Sequence, residues 1–163
     1  MSKVVLKLGN DVSTDIIYPG RYMATVHPSE TPQYAFADIK EFNQKLNGNE
    51  IQKGSIILAG KNFGCGSSRE QAVSCLKGYE LVIIAESFAR IFLQNAINLG
   101  LKVIIVPDIE AVEGDEIELK EDKVINKTSG KIFNVISLSK TQQNVLDAGG
   151  LIPYTRKRLL EKA

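Results

Sequence analysis

The sequence predicts an α/β fold in which a parallel core is followed by small antiparallel strands. Between residues 55 and 106, apolar segments of strand length alternate with segments of helical periodicity, which is typical of a parallel sheet with crossover helices. Between residues 115 and 136, short segments of alternating polarity are separated by turn residues. The length of 163 residues favours one domain spanning residues 1–163.

In the first part of the chain, each element follows from its own pattern. Residues 3–8 form an apolar strand, and residues 9–33 form a long loop rich in Gly, Pro, Ser, Thr and Asp. A helix is predicted over residues 34–46 from apolar side chains at helical spacing, namely Phe36, Ile39, Phe42 and Leu46. Residues 55–59 are an apolar strand that leads into a glycine-rich loop at residues 60–66.

The same alternation continues through the middle of the chain. A helix is predicted over residues 67–77, and residues 81–85 form a continuous apolar strand of the buried type. The next helix, over residues 87–99, ends at Gly100, because glycine commonly terminates helices. Residues 102–106 form another buried strand, which completes the predicted parallel core.

The last part of the chain changes character. The small antiparallel strands are predicted at residues 115–120, 123–126 and 131–136. A helix over residues 139–148 stops at Gly149, and the basic run at residues 156–158 is interpreted as a solvated C-terminus.

Composition excludes several classes of function. The 20 basic and 19 acidic residues nearly cancel, which argues against a sequence-independent nucleic-acid binder. No apolar run approaches the roughly 20 residues of a membrane span, and the first residues lack a signal-peptide pattern. Two cysteines fit a reducing compartment better than a disulfide scaffold. We therefore expect a cytoplasmic protein that binds neither nucleic acid nor membrane.

The scarce thiols and imidazole limit metal chemistry on this chain. Cys65, Cys75 and His27 are the only such residues, and no CxxC, HxxxH or HExxH spacing occurs. The chain therefore cannot build a closed zinc or iron–sulfur site from its own thiolates and imidazoles. Cys75 is expected in the core, Cys65 is interpreted as a small buried loop residue rather than a nucleophile, and His27 as a loop residue.

One glycine-rich motif carries most of the functional information: Asn62-Phe63-Gly64-Cys65-Gly66-Ser67-Ser68-Arg69-Glu70. Ser67 with Glu70 matches a capping box, so one interpretation is a loop followed by a well-capped helix. The glycines also let the backbone approach a bound group, and a helix N-terminus attracts anions. Arg69 in a first helical turn opposes the helix dipole but suits bidentate binding of a carboxylate. Capping and an anion site therefore both remain open here.

The long loop at residues 9–22 is a second candidate segment. It contains Asp11 and Asp15, the latter followed by two isoleucines. Turn chemistry explains such residues, because Asp and Ser side chains bind local backbone groups. A loop of this length is also often functional, so both interpretations stand.

Together, three ordered segments resemble the small subunits of the 3-isopropylmalate dehydratase family, in the aconitase superfamily. The motif at residues 62–70 is similar to the family signature almost residue for residue. The N-terminal signature is matched at Thr14, Asp15, Pro19, Arg21 and Tyr22, although Tyr18 replaces the usual aliphatic residue. A third block is matched by residues 86–92 and 95–101, so the resemblance covers nearly the whole chain.

The resemblance implies a swivelling β/β/α domain, of the aconitase C-terminal type, that closes over a large partner subunit. It implies that the large subunit carries a [4Fe–4S] cluster with one iron open to substrate, and that this chain binds no cofactor itself. The implied reaction is dehydration and rehydration of a small hydroxy-di- or tricarboxylic acid, as in the isomerisation of isopropylmalate in leucine biosynthesis. A heterodimer or heterotetramer is the implied assembly.

The resemblance also implies roles for individual residues. Ser67 would be the base that removes the substrate C–H proton, and Asp15 would assist the site. Ser68 and Arg69 would bind a substrate carboxylate. These roles agree with the chemistry of the motif, because a serine is a poor base and needs the electrostatic help that a helix N-terminus and an arginine supply.

The loop after the first signature sets specificity in the family, and here it reads Arg21-Tyr22-Met23-Ala24-Thr25. Homoaconitase-type small subunits carry an arginine where Ala24 stands, so the resemblance favours an apolar substituent, as in isopropylmalate. Met23 and Ala24 either line a pocket for that substituent or anchor the loop, and Arg21 could hold a carboxylate. A homoaconitase or dimethylmalate-type hydratase, and a stand-alone anion-binding module, are the alternatives.

Overall fold

The computed structural model, which describes residues 1–162, places seven strands in one mixed sheet. In chain order the strands are β1 (Ser2–Lys7), β2 (Ile56–Ala59), β3 (Val82–Ala85), β4 (Val103–Ile105), β5 (Glu116–Leu119), β6 (Lys123–Asn126) and β7 (Ile132–Asn134). Their order across the sheet is β4–β3–β2–β1–β5–β6–β7. The first four strands pair in parallel, and the last three continue antiparallel from β1. The predicted parallel core with small antiparallel strands is therefore confirmed.

Helices cover one side of this sheet. They are α1 (Thr14–Ile17), α2 (Lys40–Asn47), α3 (Glu70–Gly78), α4 (Arg90–Leu99), α5 (Lys140–Asp147) and α6 (Leu151–Glu161), with 3-10 turns at Gly20–Tyr22 and Thr31–Tyr34. Apolar side chains of α2, α3 and α4 pack on the parallel strands, and α5 and α6 pack against α4. Within residues 1–162, every helix is too short or too polar to traverse a lipid bilayer.

Alternate residues of the parallel strands contribute to two hydrophobic cores. In β2, Ile57 packs with the helices, whereas Leu58 packs on the other side. On that other side the sheet curls, and the Ile136 N–H donates to Ile105 O at 2.9 Å, so its two ends approach each other. Because β2 and β3 are covered on both faces, every residue in them is buried. This explains the continuous apolar runs in the sequence.

The helix predicted over residues 34–46 needs correction, whereas the solvated C-terminal run and the end of α4 are confirmed. The helix predicted over residues 34–46 begins only at Lys40, because Phe36 adopts a left-handed backbone conformation with φ of 51°. The basic run at residues 156–158 is solvated, as predicted, because all three side chains are exposed; it lies in helix α6, which sequence reasoning did not predict. Gly100 ends α4 as predicted, with φ of 79°.

Gly64, in the loop after β2, is required by both backbone conformation and space. Its φ is 86°, and a Cβ built on it would lie 2.5 Å from Cβ of Phe92. Phe92 is buried and contacts the rings of Phe63 and Phe88, so it cannot move away freely. A side chain at this position would therefore disturb the core beneath the loop.

We expect Gly64→Ala to lower the free energy of unfolding by about 2–4 kcal/mol, from backbone strain of about 1 kcal/mol plus overpacking. Gly130→Ala is the matched control, since Gly130 has φ of 80° and nothing within 4 Å of a built Cβ. The free energy of unfolding of Gly130→Ala should fall only by the backbone strain of about 1 kcal/mol. Urea unfolding of both variants measures the difference, and equal losses would show that Phe92 does not constrain Gly64.

Candidate anion-binding site at the carboxyl end of the parallel strands

Three loops lie side by side where β1, β2 and β3 end. The Gly60 N–H donates to Gly9 O at 3.0 Å, and the Glu86 N–H donates to Gly60 O at 3.1 Å. Further along, the Gly64 N–H donates to Val12 O at 2.7 Å. Because the loops follow the carboxyl ends of parallel strands, they form the edge at which open α/β sheets usually bind ligands.

Ser67 and Ser68 precede α3 rather than belonging to it. The helix begins at Glu70 with Arg69 as its N-cap and without a side-chain cap, so the capping box predicted from Ser67 and Glu70 is wrong. The reason is that the neighbouring loop holds this backbone outside the helix: Thr14 Oγ1 donates to Ser67 O at 2.7 Å. Both serine side chains therefore stay exposed in front of the helix N-terminus.

The guanidinium of Arg69 is held along one edge. Its Nη1 donates to Asp15 Oδ1 at 2.7 Å and to Tyr18 O at 3.1 Å. The Gly20 N–H donates to the same Asp15 oxygen at 2.8 Å. The Arg69 side chain is 16% exposed and that of Asp15 is 65% exposed, so the cation is the more enclosed partner. Arg69 is an N-cap with an acidic partner in its own chain, and a ligand is not needed to explain its position.

The opposite edge of the Arg69 guanidinium remains available. Within residues 1–162, its Nε and Nη2 have no hydrogen-bond acceptor. Two adjacent N–H donors of this kind are what a carboxylate binds bidentately. Arg69, and then the Gly20 N–H, hold the pKa of Asp15 below its usual range. The pair therefore persists to a lower pH than it would with an unshifted carboxyl, and it is lost as the pH falls through the lowered pKa of Asp15.

A pocket of about 610 Å³ opens between this loop and the first turns of α4. Its polar lining is Thr14, Ser67, Ser68, Arg69, Arg90, Gln94 and Asn95. Arg90 is the first residue of α4, where a cation opposes the helix dipole, and it has no ion-pair partner within residues 1–162. The pocket thus presents two cations and two serine hydroxyls but no carboxylate, which suits an anion with more than one acidic group.

The segment predicted to set specificity does not line this pocket. It reaches the site through α3, where Gln71 Nε2 donates to Met23 O at 3.3 Å. Arg21 binds Asp38 bidentately at 2.5 and 3.1 Å, so its guanidinium is already occupied. Met23 is 37% exposed, and Ala24 is exposed beside it. The structure therefore brings Asp15, Ser67, Ser68 and Arg69 together and leaves the loop at 21–25 as a neighbour.

The residues of this chain do not fit an iron–sulfur cluster. Within residues 1–162, no three His, Cys, Asp or Glu side chains converge in a way that could hold a metal ion. Cys65 lies in the glycine-rich loop, as predicted, but is only half-buried there. Cys75 lies in the core, as predicted, and burial raises the pKa of its thiol. His27 is exposed in a loop, as predicted, and its Nδ1 lies 2.8 Å from the Ser29 hydroxyl.

Sequence reasoning missed two residues of the site. Thr14 is buried beneath it and fixes the backbone of Ser67, yet a threonine in a polar loop gives no distinctive signal. Arg90 did give a signal, because it lies near the start of the helix predicted over residues 87–99. A basic residue there opposes the helix dipole, which is a sign of an anion site. The signal is stronger for Arg90 than for Arg69, because Arg69 has Asp15 as an ion-pair partner and Arg90 has none within residues 1–162.

Comparisons with known proteins relate this chain to the family of aconitase C-terminal domains. The family model of the aconitase C-terminal domain matches residues 10–108. The 3-isopropylmalate dehydratase small subunit of Methanosarcina mazei is 40% identical over 161 residues, covering 96% of each chain. The methanogen homoaconitase small subunit of Methanocaldococcus jannaschii is 42% identical, covering 94% of this chain and 90% of the relative.

A solved structure supports the same relationship. The crystal structure of 3-isopropylmalate dehydratase from Methanocaldococcus jannaschii superposes with a TM-score of 0.87 at 39% sequence identity. The match covers 98% of this chain and 95% of the other. Both the curled sheet and the sequence therefore relate this chain to these proteins along almost its full length.

Proposed function

Because the chain belongs to the family of aconitase C-terminal domains, we propose that it is the small subunit of a 3-isopropylmalate dehydratase. Such an enzyme is a hydro-lyase that interconverts 2- and 3-isopropylmalate by dehydration and rehydration in leucine biosynthesis. One observation carries the proposal: Arg69, whose Nε and Nη2 have no acceptor within residues 1–162, lines a pocket together with Ser67 and Ser68, and no carboxylate lines that pocket. Residues 1–163 would act as one domain of a cytoplasmic heterodimer or heterotetramer.

The remaining half of the active site would belong to a large subunit. This chain has two cysteines, too few for the three thiolates of an aconitase-type cluster, so the [4Fe–4S] cluster would reside on the partner. The pocket beside Arg69 is open to solvent on the side away from the sheet, as the exposure of Ser67, Ser68 and Arg90 indicates. A partner docked there would exclude water and strengthen the electrostatic interactions inside.

Within this chain, the alkoxide form of Ser67 would accept the proton from the substrate carbon and become the neutral hydroxyl. Thr14 holds the backbone of Ser67, and the N-terminus of α3 with Arg69 would stabilise negative charge on its oxygen. Ser68 and the free edge of Arg69 would bind one substrate carboxylate, and Asp15 would orient Arg69. Arg90 would attract the second carboxylate of the substrate.

The exposed specificity loop favours an uncharged substituent on the substrate. Met23 and Ala24 offer apolar surface, and the nearest cation of the loop, Arg21, is neutralised by Asp38. This supports an alkyl group rather than an additional carboxylate. A homoaconitase small subunit is the second candidate, because a relative of that name is 42% identical to this chain.

Reconstitution tests the proposal. The purified chain should be inactive alone, and should give isopropylmalate isomerase activity when mixed with the large subunit encoded in the same organism. Homocitrate-derived and 2,3-dimethylmalate-type acids, supplied to the same complex, test the alternatives. Tight binding of malate-type acids to the isolated chain, with no partner recovered from native extracts, would instead support the stand-alone anion-binding module.

A further inference from the structure

Tyr18 connects Arg69 of the anion-binding pocket with the neighbouring segment at residues 21–25. Its carbonyl oxygen accepts a hydrogen bond from Arg69 Nη1 at 3.1 Å. Its hydroxyl, at the other end of the residue, lies 3.0 Å from Tyr22 O and 3.2 Å from Thr25 O. One residue therefore contacts both the anion-binding arginine and the backbone of the segment at 21–25.

The hydroxyl of Tyr18 is a buried polar group whose partners lie only in that segment. Tyr18 is fully buried, and burial raises the pKa of its phenol, so the group stays protonated and can donate. Without Tyr22 O and Thr25 O the hydroxyl would be buried and unpaired, which is unfavourable. These two hydrogen bonds therefore favour the loop conformation that brings both carbonyls to the phenol.

Neighbouring contacts define the outer side of the same loop. The ring of Tyr22 stacks on Tyr34 with centroids 4.0 Å apart, and both rings meet Tyr18 edge-on. The Tyr34 ring packs in this cluster, but its hydroxyl makes no hydrogen bond within residues 1–162. Within the described residues, Tyr18 is thus the only one of these three tyrosines whose hydroxyl makes a hydrogen bond to the loop.

We infer that Tyr18 is a positioning residue that sets the 22–25 loop relative to Arg69, and through it the size of the alkyl group that the substrate can carry. The inference rests on the proposed function, since it assigns a specificity role within that site. A carboxylate bound to Arg69 would fix one end of the substrate, and Met23 and Ala24, which are exposed on the loop outside the pocket lining, would meet the other end. The distance between these two contacts then determines which 2-alkylmalate fits.

Tyr18→Phe tests the inference in the reconstituted complex, because it removes the hydroxyl and keeps the ring. Tyr34→Phe is the matched control, since it removes a hydroxyl without a partner from the same cluster. For Tyr18→Phe we expect kcat/KM for 2-isopropylmalate to fall about five- to tenfold, the effect of one buried hydrogen bond. Most of the loss should be in KM. The preference for 2-isopropylmalate over 2-methylmalate should fall by a similar factor, and Tyr34→Phe should change neither.

Hydrogen exchange of the isolated chain supplies a second measurement that is independent of activity. Amides of residues 22–25 should exchange faster in Tyr18→Phe and at the wild-type rate in Tyr34→Phe. Unchanged selectivity in an active Tyr18→Phe complex would overturn the inference and leave the proposed function standing. Absence of isomerase activity in the wild-type complex would overturn the proposed function instead, and unchanged exchange at 22–25 would then overturn the role of Tyr18 in holding the loop.

Discussion

Ser67→Ala should lower turnover of the reconstituted enzyme by about 10²- to 10⁴-fold, the usual contribution of a general base. The side chain of Ser67 is exposed at the pocket, and its backbone, rather than its hydroxyl, carries the contact with Thr14. Removing the hydroxyl therefore takes away the proton acceptor without altering the loop. KM should change little, because Ser68 and Arg69 retain their carboxylate contacts.

Assembly and stability provide the control for this variant. Ser67→Ala should bind the large subunit and unfold in urea as the wild type does. Ser137→Ala, which removes an exposed hydroxyl outside the pocket, should leave turnover unchanged. If Ser67→Ala keeps full turnover, Ser67 is not the base and the proton must be accepted by a group on the partner.

Local patterns were sufficient to predict the sheet. The parallel strands β2 and β3 are buried on both faces, so their apolar runs could be recognised without knowledge of their neighbours. The end of α4 at Gly100 is likewise a local property of glycine. These elements depend on side chains that are close in sequence, which is why sequence reasoning placed them to within a residue or two.

The same local reasoning failed where tertiary contacts override the pattern. Ser67 and Glu70 have the spacing of a capping box, but the bond from Thr14, 53 residues away, keeps Ser67 outside the helix. Phe36 fits a helical stripe, yet its N–H donates to Ile17 O at 2.8 Å rather than to a carbonyl within a helix. Both failures involve pairings between distant loops, which periodicity does not report.

The chemistry of the site was only half predictable for a related reason. The motif at 62–70 indicated an anion site, but the pairing of Asp15 with Arg69 spans 54 residues and was not predicted, since the resemblance implied only that Asp15 assists the site. That pairing decides which edge of the guanidinium remains free. The ion pair with Asp15 also explains why Arg69 lies where it does. The proposed function of Arg69 therefore depends on its two remaining donors, Nε and Nη2.

The second large effect is expected for Arg69→Lys, which keeps the charge and removes the planar fork. A lysine ammonium can approach Asp15 or a substrate carboxylate as a point charge, but it cannot offer one edge to each. We expect kcat/KM to fall roughly 10- to 100-fold, the effect of losing one charge-assisted bidentate contact. The change should appear mainly in KM, in contrast to Ser67→Ala, and is measured by steady-state kinetics of the reconstituted complex.

Two further measurements distinguish loss of the bidentate guanidinium contact from a non-specific loss of activity. Arg158→Lys on α6, outside the pocket, makes the same replacement at an exposed arginine and should leave KM unchanged. In Arg69→Gln, an NMR titration should show the pKa of Asp15 rising toward its ordinary range, because its largest stabilising partner is gone. An unchanged KM in Arg69→Lys would mean that charge alone binds the substrate. The free Nε–Nη2 edge, on which the proposed carboxylate contact depends, would then have no part in recognition.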